Sequence, residues 1–276
     1  MTNTQSPRVV ISGSGVWTPP ESISNDELVA SYNAYAEKFN ADHTADIAAG
    51  QIEEKPMSSA RFIEKASGIT SRYVYTREGI LDINRMRPKI AERGENEISH
   101  QAEIAIHAAR QAMEAAGKTA ADIDAVIVSC AYTQRAYPAI AIEVQDALGV
   151  NGFAFDMLMA CSAATFGLHR ACDSIAAGSA SCVLAINPEL VTPQVNYCDR
   201  DSHFIFGDVS TAMILERAET AVSKNIFEIL GTKALTRFSS SIRSNFGYIS
   251  RATDADPYGW DKLFHQAGRK VFDEVS

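Results

Sequence analysis

Phe155-Asp156-Met157-Leu158-Met159-Ala160-Cys161-Ser162-Ala163-Ala164-Thr165-Phe166-Gly167 reads as a strand running into a turn of small residues and then a helix. The strand is expected over 152–157 and the helix over 162–177, ending at Gly178. That helix is apolar on most faces, which predicts burial. Upstream, 125–130 is a β-rich apolar run, and a second helix runs from Pro138 to Leu148 before Gly149. Downstream, 183–186 is another strand. Strand, helix, strand, helix, strand at this spacing predicts βαβ units and a mainly parallel sheet.

Further out, Ile98, Ala102, Ala105, Ala109, Ala112 and Met113 recur at helical spacing before Gly117. Residues 9–12 form a strand ahead of Gly13 and Gly15, and Ser24 with Glu27 forms a capping box for a helix through Tyr35. Residues 40–57 are polar and alanine-rich, which predicts surface helix and loop, and 72–75 a short strand. Strands are also expected over 210–216 and 227–231, and an amphipathic helix over 261–275. The run at 227–231 repeats the pattern of the first strand: apolar residues, glycine, polar turn. It hints at an internal repeat, with one half at 1–221 and a second beginning at 222–276.

Cys161 is the candidate nucleophile. At the start of a helix, unsatisfied N–H groups and the dipole stabilise a thiolate, and the same N–H groups can hold an oxyanion. Small neighbours leave room for a substrate chain. The other reading is a buried structural cysteine, and placement alone leaves both open. Cys130 and Cys182 on strands, Cys172 in the helix and Cys198 in a loop read as structural.

The 276 residues are 46% apolar, which excludes a disordered chain, and the net charge of −9 argues against a nucleic-acid binder. No apolar run is long enough to span a membrane. Met1 to Ser6 reads as neither a secretory signal nor a transit peptide. Five cysteines without CxxC or CxxH clusters suit a reducing cytoplasm and neither a disulfide framework nor a metal site.

The segment around Cys161 resembles the active-site turn of the β-ketoacyl-acyl-carrier-protein synthase III family, of the thiolase superfamily. Ile11-Ser12-Gly13-Ser14-Gly15, Ser67-Gly68-Ile69 with Arg72, Ala136-Tyr137-Pro138, and Asp199-Arg200 followed by Phe206-Gly207-Asp208 resemble its other motifs, in order. The strings at 24–28, 62–69 and 199–204 resemble the β-ketodecanoyl subgroup, whose members take a medium-chain acyl-CoA. The resemblance implies an α/β, thiolase-like layered αβαβα fold, with the first repeat complete and the second only begun.

It also implies a cytoplasmic homodimer without a cofactor. An acyl group passes from acyl-CoA to Cys161, and then to a malonyl-acyl-carrier-protein carbanion formed by decarboxylation. Arg200 matches a contact to the CoA adenine and phosphates, Phe206 an aromatic beside the reacting centre, and Tyr137 an aromatic reaching the partner's acyl pocket. Phe62 stands where the family usually has tryptophan and Ala66 where it has arginine, a pair that grips adenine, so Lys65 or Arg200 is needed to supply the cation. Arg200 has the alternative of pairing with Asp199 or Asp201, Phe206 of ordinary core, and Tyr137 of filling a loop. Val209 replaces a frequent glycine.

The family's catalytic histidine and asparagine lie in the second half, so the chain reads as truncated before them. His265-Gln266-Ala267 mimics the histidine motif but is rejected as its counterpart: that motif follows a buried strand, 261–275 has a helical pattern, and the position comes too soon in the chain. His203 is placed where it could touch substrate, though a lone histidine is more often structural. Lys233, Arg237, Arg243 and Arg251, with no acidic residue between 233 and 253, form a candidate surface for an acidic carrier. The alternatives are a thiolase-fold acyltransferase without decarboxylation and a non-catalytic half-fold.

Overall fold

The computed structural model describes residues 7–275 apart from 255, 257 and 258. The terminal segment Met1 to Ser6 lies outside the described residues. In chain order come β1 (Val9–Trp17), β2 (Glu21–Ser24), α1 (Asn25–Asp42), α2 (Thr44–Ala48), α3 (Ala60–Ser67), β3 (Ser71–Val74), α4 (His100–Ala116) and β4 (Ala125–Cys130). There follow α5 (Ile140–Leu148), β5 (Phe153–Leu158), α6 (Ala163–Ala176), β6 (Cys182–Glu189), β7 (Val209–Arg217), β8 (Phe227–Glu228), β9 (Ile242–Ser244), β10 (Phe264–Gln266) and α7 (Gly268–Val275). Contacts group the chain into two units: 1–18, 92–190 and 209–235, and 19–91, 191–208 and 236–276.

The first unit holds a six-stranded sheet in the order β5-β4-β6-β7-β1-β8. β4 is parallel to both β5 and β6, whereas the β6–β7, β7–β1 and β1–β8 pairs are antiparallel. The expectation of a mainly parallel sheet is therefore corrected to a mixed one. Parallel pairing needs a crossover, and no α-helix lies between β6 and β7. One core packs α4 and α5 on the sheet through Ala105, Ala109, Ala112, Val126, Val128, Leu184 and Ile214. β1 lies tight on α4: a Cβ on Gly13 would stand 2.3 Å from the Ala112 carbonyl oxygen, and one on Gly15 2.1 Å from that of Ala108.

On the other side lies α6, over Ile127, Val183, Ala185 and Leu215. Its buried residues are Ala163, Gly167, Ala171 and Ile175, a single stripe at four-residue spacing. The expected burial on most faces is not found: the sheet covers that stripe, and Ala164, Thr165 and Arg170 are exposed.

In the second unit β2 and β3 form an antiparallel pair across the α1–α3 segment, and α1 opens with the expected capping box, Ser24 accepting from the Glu27 N–H and the Glu27 carboxylate from that of Ser24. Its core gathers Ile23, Leu28, Ile63, Val74, Tyr197 and Phe204. β9 and β10 pair with Phe264 opposite Ser244 and His265 opposite Arg243. The helix expected from residue 261 thus begins only at Gly268. Leu263, Phe264, Ala267 and Val271 follow a helical period, and pairing with β9 overrides it for strand over 264–266. The strand expected over 227–231 is confined to Phe227–Glu228, the part that pairs with β1.

Candidate active site

β5 ends at Leu158, residues 160–162 form one tight turn, and α6 follows. Ala160 sits at φ +44, one of two described non-glycine residues in the left-handed region. An alanine held there is strained, and such strain gathers at functional sites. Its consequence is a sharp reversal that leaves the Cys161 thiol free and exposed. The turn is pinned beneath: the Met159 N–H donates to the Cys130 carbonyl at 3.3 Å. Ser129 Oγ donates to the Ala163 carbonyl at 2.7 Å, and the Asn187 amide to the Ser129 carbonyl at 2.8 Å. No side chain caps α6, so its first N–H groups are not taken by one. Burial pushes the Cys182 and Cys198 thiols up, to about 12 and about 11, and raises Cys130 and Cys172 as well. Those four suit packing rather than nucleophilic work. A cavity of 510 Å³ runs beside α6 along Ser162, Thr165, Phe166 and His169, opposite residues 229–235.

In the second unit the Arg200 guanidinium lies over the Phe62 ring, Cζ 3.7 Å from its centroid. This is a stacked cation–π contact. Arg200 Nε donates to the Met57 carbonyl at 2.8 Å, and Nη1 reaches Asp201 at 3.1 Å, so the expected carboxylate pairing and the ring contact occur together. Phe62 also meets Phe204 edge-on at 5.9 Å. Between Lys65 and Arg200, Arg200 is the cation placed on that ring.

His203 is fully buried, its Nδ1 2.9 and 3.0 Å from the Arg200 and Asp199 carbonyls and its ring stacked on Tyr32 at 4.9 Å. Burial pushes its pKa down to about 4. Of its two readings, the structural one is what the burial supports. Asp208 is a hub: it accepts from the N–H groups of Tyr75, Val191 and Thr192 and from the Thr192 hydroxyl, at 2.6–2.9 Å. Gly207 beside it is required, since a Cβ would stand 2.5 Å from the Tyr73 carbonyl. Phe206 is half-buried and meets Phe264 of β10 edge-on at 4.7 Å. His265 is exposed on that strand, three residues before α7. It lies within a three-residue strand and does not follow a buried one, so the setting of the family's histidine motif is not reproduced here.

Tyr137 is 85% exposed, at the tip of the β4–α5 connection. Three carboxylates, unnoticed in the sequence, hold that connection. Asp156 takes the Ile140 and Ala141 N–H groups at 2.8 Å, Glu143 pairs with Arg135 at 3.3 Å, and Glu189 accepts from the Ala131 N–H at 3.1 Å. Asp156 inside an apolar strand was the available signal. Burial raises the pKa of Glu189 to about 7. Arg237, Arg243 and Arg251 are all exposed, as are Phe238, Phe246 and Tyr248.

The profile of the 3-oxoacyl-[acyl-carrier-protein] synthase III family matches residues 155–234. The β-ketodecanoyl-[acyl-carrier-protein] synthase of Pseudomonas aeruginosa is 53% identical over 89% of this chain and 70% of its own length. A β-ketoacyl-[acyl-carrier-protein] synthase III of Mycobacteroides abscessus is 33% identical over 74% of this chain, which spans 56% of that relative. The crystal structure of a 3-oxoacyl-(acyl carrier protein) synthase III from Pseudomonas aeruginosa superposes with a TM-score of 0.68 at 21% identity, over 97% of this chain and 66% of that one, which bears out the expected fold.

Proposed function

Since this chain belongs to the β-ketoacyl-[acyl-carrier-protein] synthase III family, we propose that it carries out the decarboxylating condensation of a medium-chain acyl-CoA with malonyl-acyl-carrier-protein in fatty acid biosynthesis. The observation that carries the reading is the exposed Cys161 thiol, presented by the strained Ala160 at the uncapped start of α6. The Cys161 thiolate attacks the acyl-CoA carbonyl. The C–S bond to CoA breaks, and CoA leaves as its thiol after taking a proton. Malonyl carrier then loses carbon dioxide, and the resulting carbanion attacks the acyl-enzyme, forming the C–C bond and returning the thiolate. Splitting the transfer in two is what a covalent nucleophile contributes. The chemistry needs no cofactor, because decarboxylation supplies the carbanion.

Arg200 and Phe62 take the CoA nucleotide, and Phe206 lines the reacting centre. A homodimer is supported by the edge strand β5, whose Phe153 and Phe155 rings stack in parallel at 6.5 Å, both exposed. In that dimer Tyr137 would enter the partner's acyl pocket. Residues 222–276 are read as the start of the second repeat, and the cytoplasm as the place of action. No described helix is long and apolar enough to cross a membrane.

The test is release of carbon dioxide from malonyl carrier by the octanoyl-CoA-primed protein. Release that disappears in Cys161→Ala supports the reading. Acyl transfer without release favours a non-decarboxylating acyltransferase.

A further inference from the structure

Between α2 and α3 the chain runs as a strap across α1, and the contacts that fix it are paired. The Asn40 side chain donates to the Lys55 carbonyl at 3.0 Å and accepts the Lys55 N–H at 2.9 Å. The Asn33 side chain donates to the Ser58 carbonyl at 3.2 Å and accepts the Ser58 N–H at 2.8 Å. Each amide thus copies one rung of a β-ladder. The geometry matches. Seven helical residues rise about 10.5 Å, and three extended residues span about 10 Å, so two asparagines seven apart meet residues 55 and 58 in register. Between the rungs, Tyr32 donates its hydroxyl to the Pro56 carbonyl at 3.1 Å, and at one rung Lys55 Nζ donates to the Cys198 carbonyl at 3.3 Å.

The one residue between the rungs whose carbonyl serves a charged side chain is Met57: it receives Arg200 Nε. Directly after the strap, Ser59 caps α3 by accepting the Phe62 N–H at 3.1 Å. One pinned segment therefore sets both halves of the Arg200–Phe62 stack, the ring through α3 and the guanidinium through the Met57 carbonyl.

We propose that Asn33 and Asn40 are positioning residues for recognition of the CoA nucleotide, acting through strap 55–58 to fix Arg200 against Phe62. The proposal rests on the nucleotide role given to Arg200 above. A guanidinium held in plane by a carbonyl meets a purine face or a phosphate with less ordering cost than a free one. Losing the strap leaves the cation but not its orientation. The acyl-pantetheine part of the substrate gains nothing from the strap, so donors with and without a nucleotide separate this role from a merely structural one.

The experiment uses the full chain. CoA binding is measured by calorimetry in wild type, Asn33→Ala, Asn40→Ala, Arg200→Lys and the Asn33→Ala/Arg200→Lys pair, and acylation is followed with octanoyl-pantetheine. Each asparagine variant is expected to bind CoA about tenfold more weakly, the worth of one or two oriented hydrogen bonds. Acylation by octanoyl-pantetheine should stay within about twofold. Asn33→Ala should add nothing once Arg200 is lysine, because both act through one contact. Asn40→Asp, which keeps the acceptor and loses the donor, gives an intermediate loss. Unchanged CoA affinity, equal losses with both ligands, additive effects in the pair, or a wild type that does not bind CoA overturns the proposal. Weakened CoA binding together with no acylation in any protein would sink the transferase reading and leave the strap's role standing.

Discussion

Ala160 is the residue on which the account turns. Its left-handed backbone costs about 1–2 kcal/mol in an L-residue. Ala160→Gly is therefore expected to raise unfolding free energy by up to about 1 kcal/mol while slowing acylation of Cys161. Urea titration and rapid-quench acylation check the two effects, and a slower, less stable variant contradicts the strain argument. His203 gives a second prediction at this scale. Its native pKa of about 4 lies below the ordinary value of 6.5, so the native state resists a proton that the unfolded chain accepts. Its contribution is complete above pH 6.5 and is lost as pH falls toward 4. Relative to His203→Phe, wild type should lose on the order of 3 kcal/mol across that window, read as the difference between two urea midpoint curves. A constant difference contradicts the buried neutral imidazole.

At the scale of elements, Asp156 stands in for a missing cap on α5. No side-chain cap precedes that helix, and the Asp156 carboxylate from β5 takes its first two N–H groups. Asp156→Ala should cost about 1–3 kcal/mol and loosen the connection bearing Tyr137. Hydrogen exchange of Ile140 and Ala141 reads this directly, and unchanged protection contradicts it. Sequence periodicity and caps located α4, β4 and the start of α1, because there the local signal and the packing agree. They misjudged β10, where residues 263–271 carry a helical period and the partner strand β9 overrides it. They also misjudged α6, since an apolar sequence all round a helix states what burial it suits, not which neighbour supplies it. The Cys161 turn and the Arg200 and Phe62 positions were legible through motifs. The strap and the carboxylates behind Tyr137 were not, because side-chain contacts across tens of residues leave no local pattern.

For the whole molecule, a net charge of −9 opposes an acidic carrier, and the exposed Arg237, Arg243 and Arg251 offer the local exception. Arg243→Glu is expected to lower carrier-dependent turnover several-fold at low salt and less at high salt, with acylation from acyl-CoA unchanged. Turnover insensitive to the charge reversal would remove that docking surface. Leu230 and Phe238 are more than 90% exposed, and one flank of α6 is uncovered, so the 276-residue chain alone is expected to self-associate. Sedimentation giving a monodisperse monomer with a sharp cooperative melt contradicts this. The central claim is carried by one sulfur atom, and intact mass spectrometry after incubation with octanoyl-CoA tests it most directly. The account predicts a single octanoyl adduct, mapped to Cys161 and absent from Cys161→Ala. A protein left unmodified, or modified equally in that variant, contradicts it.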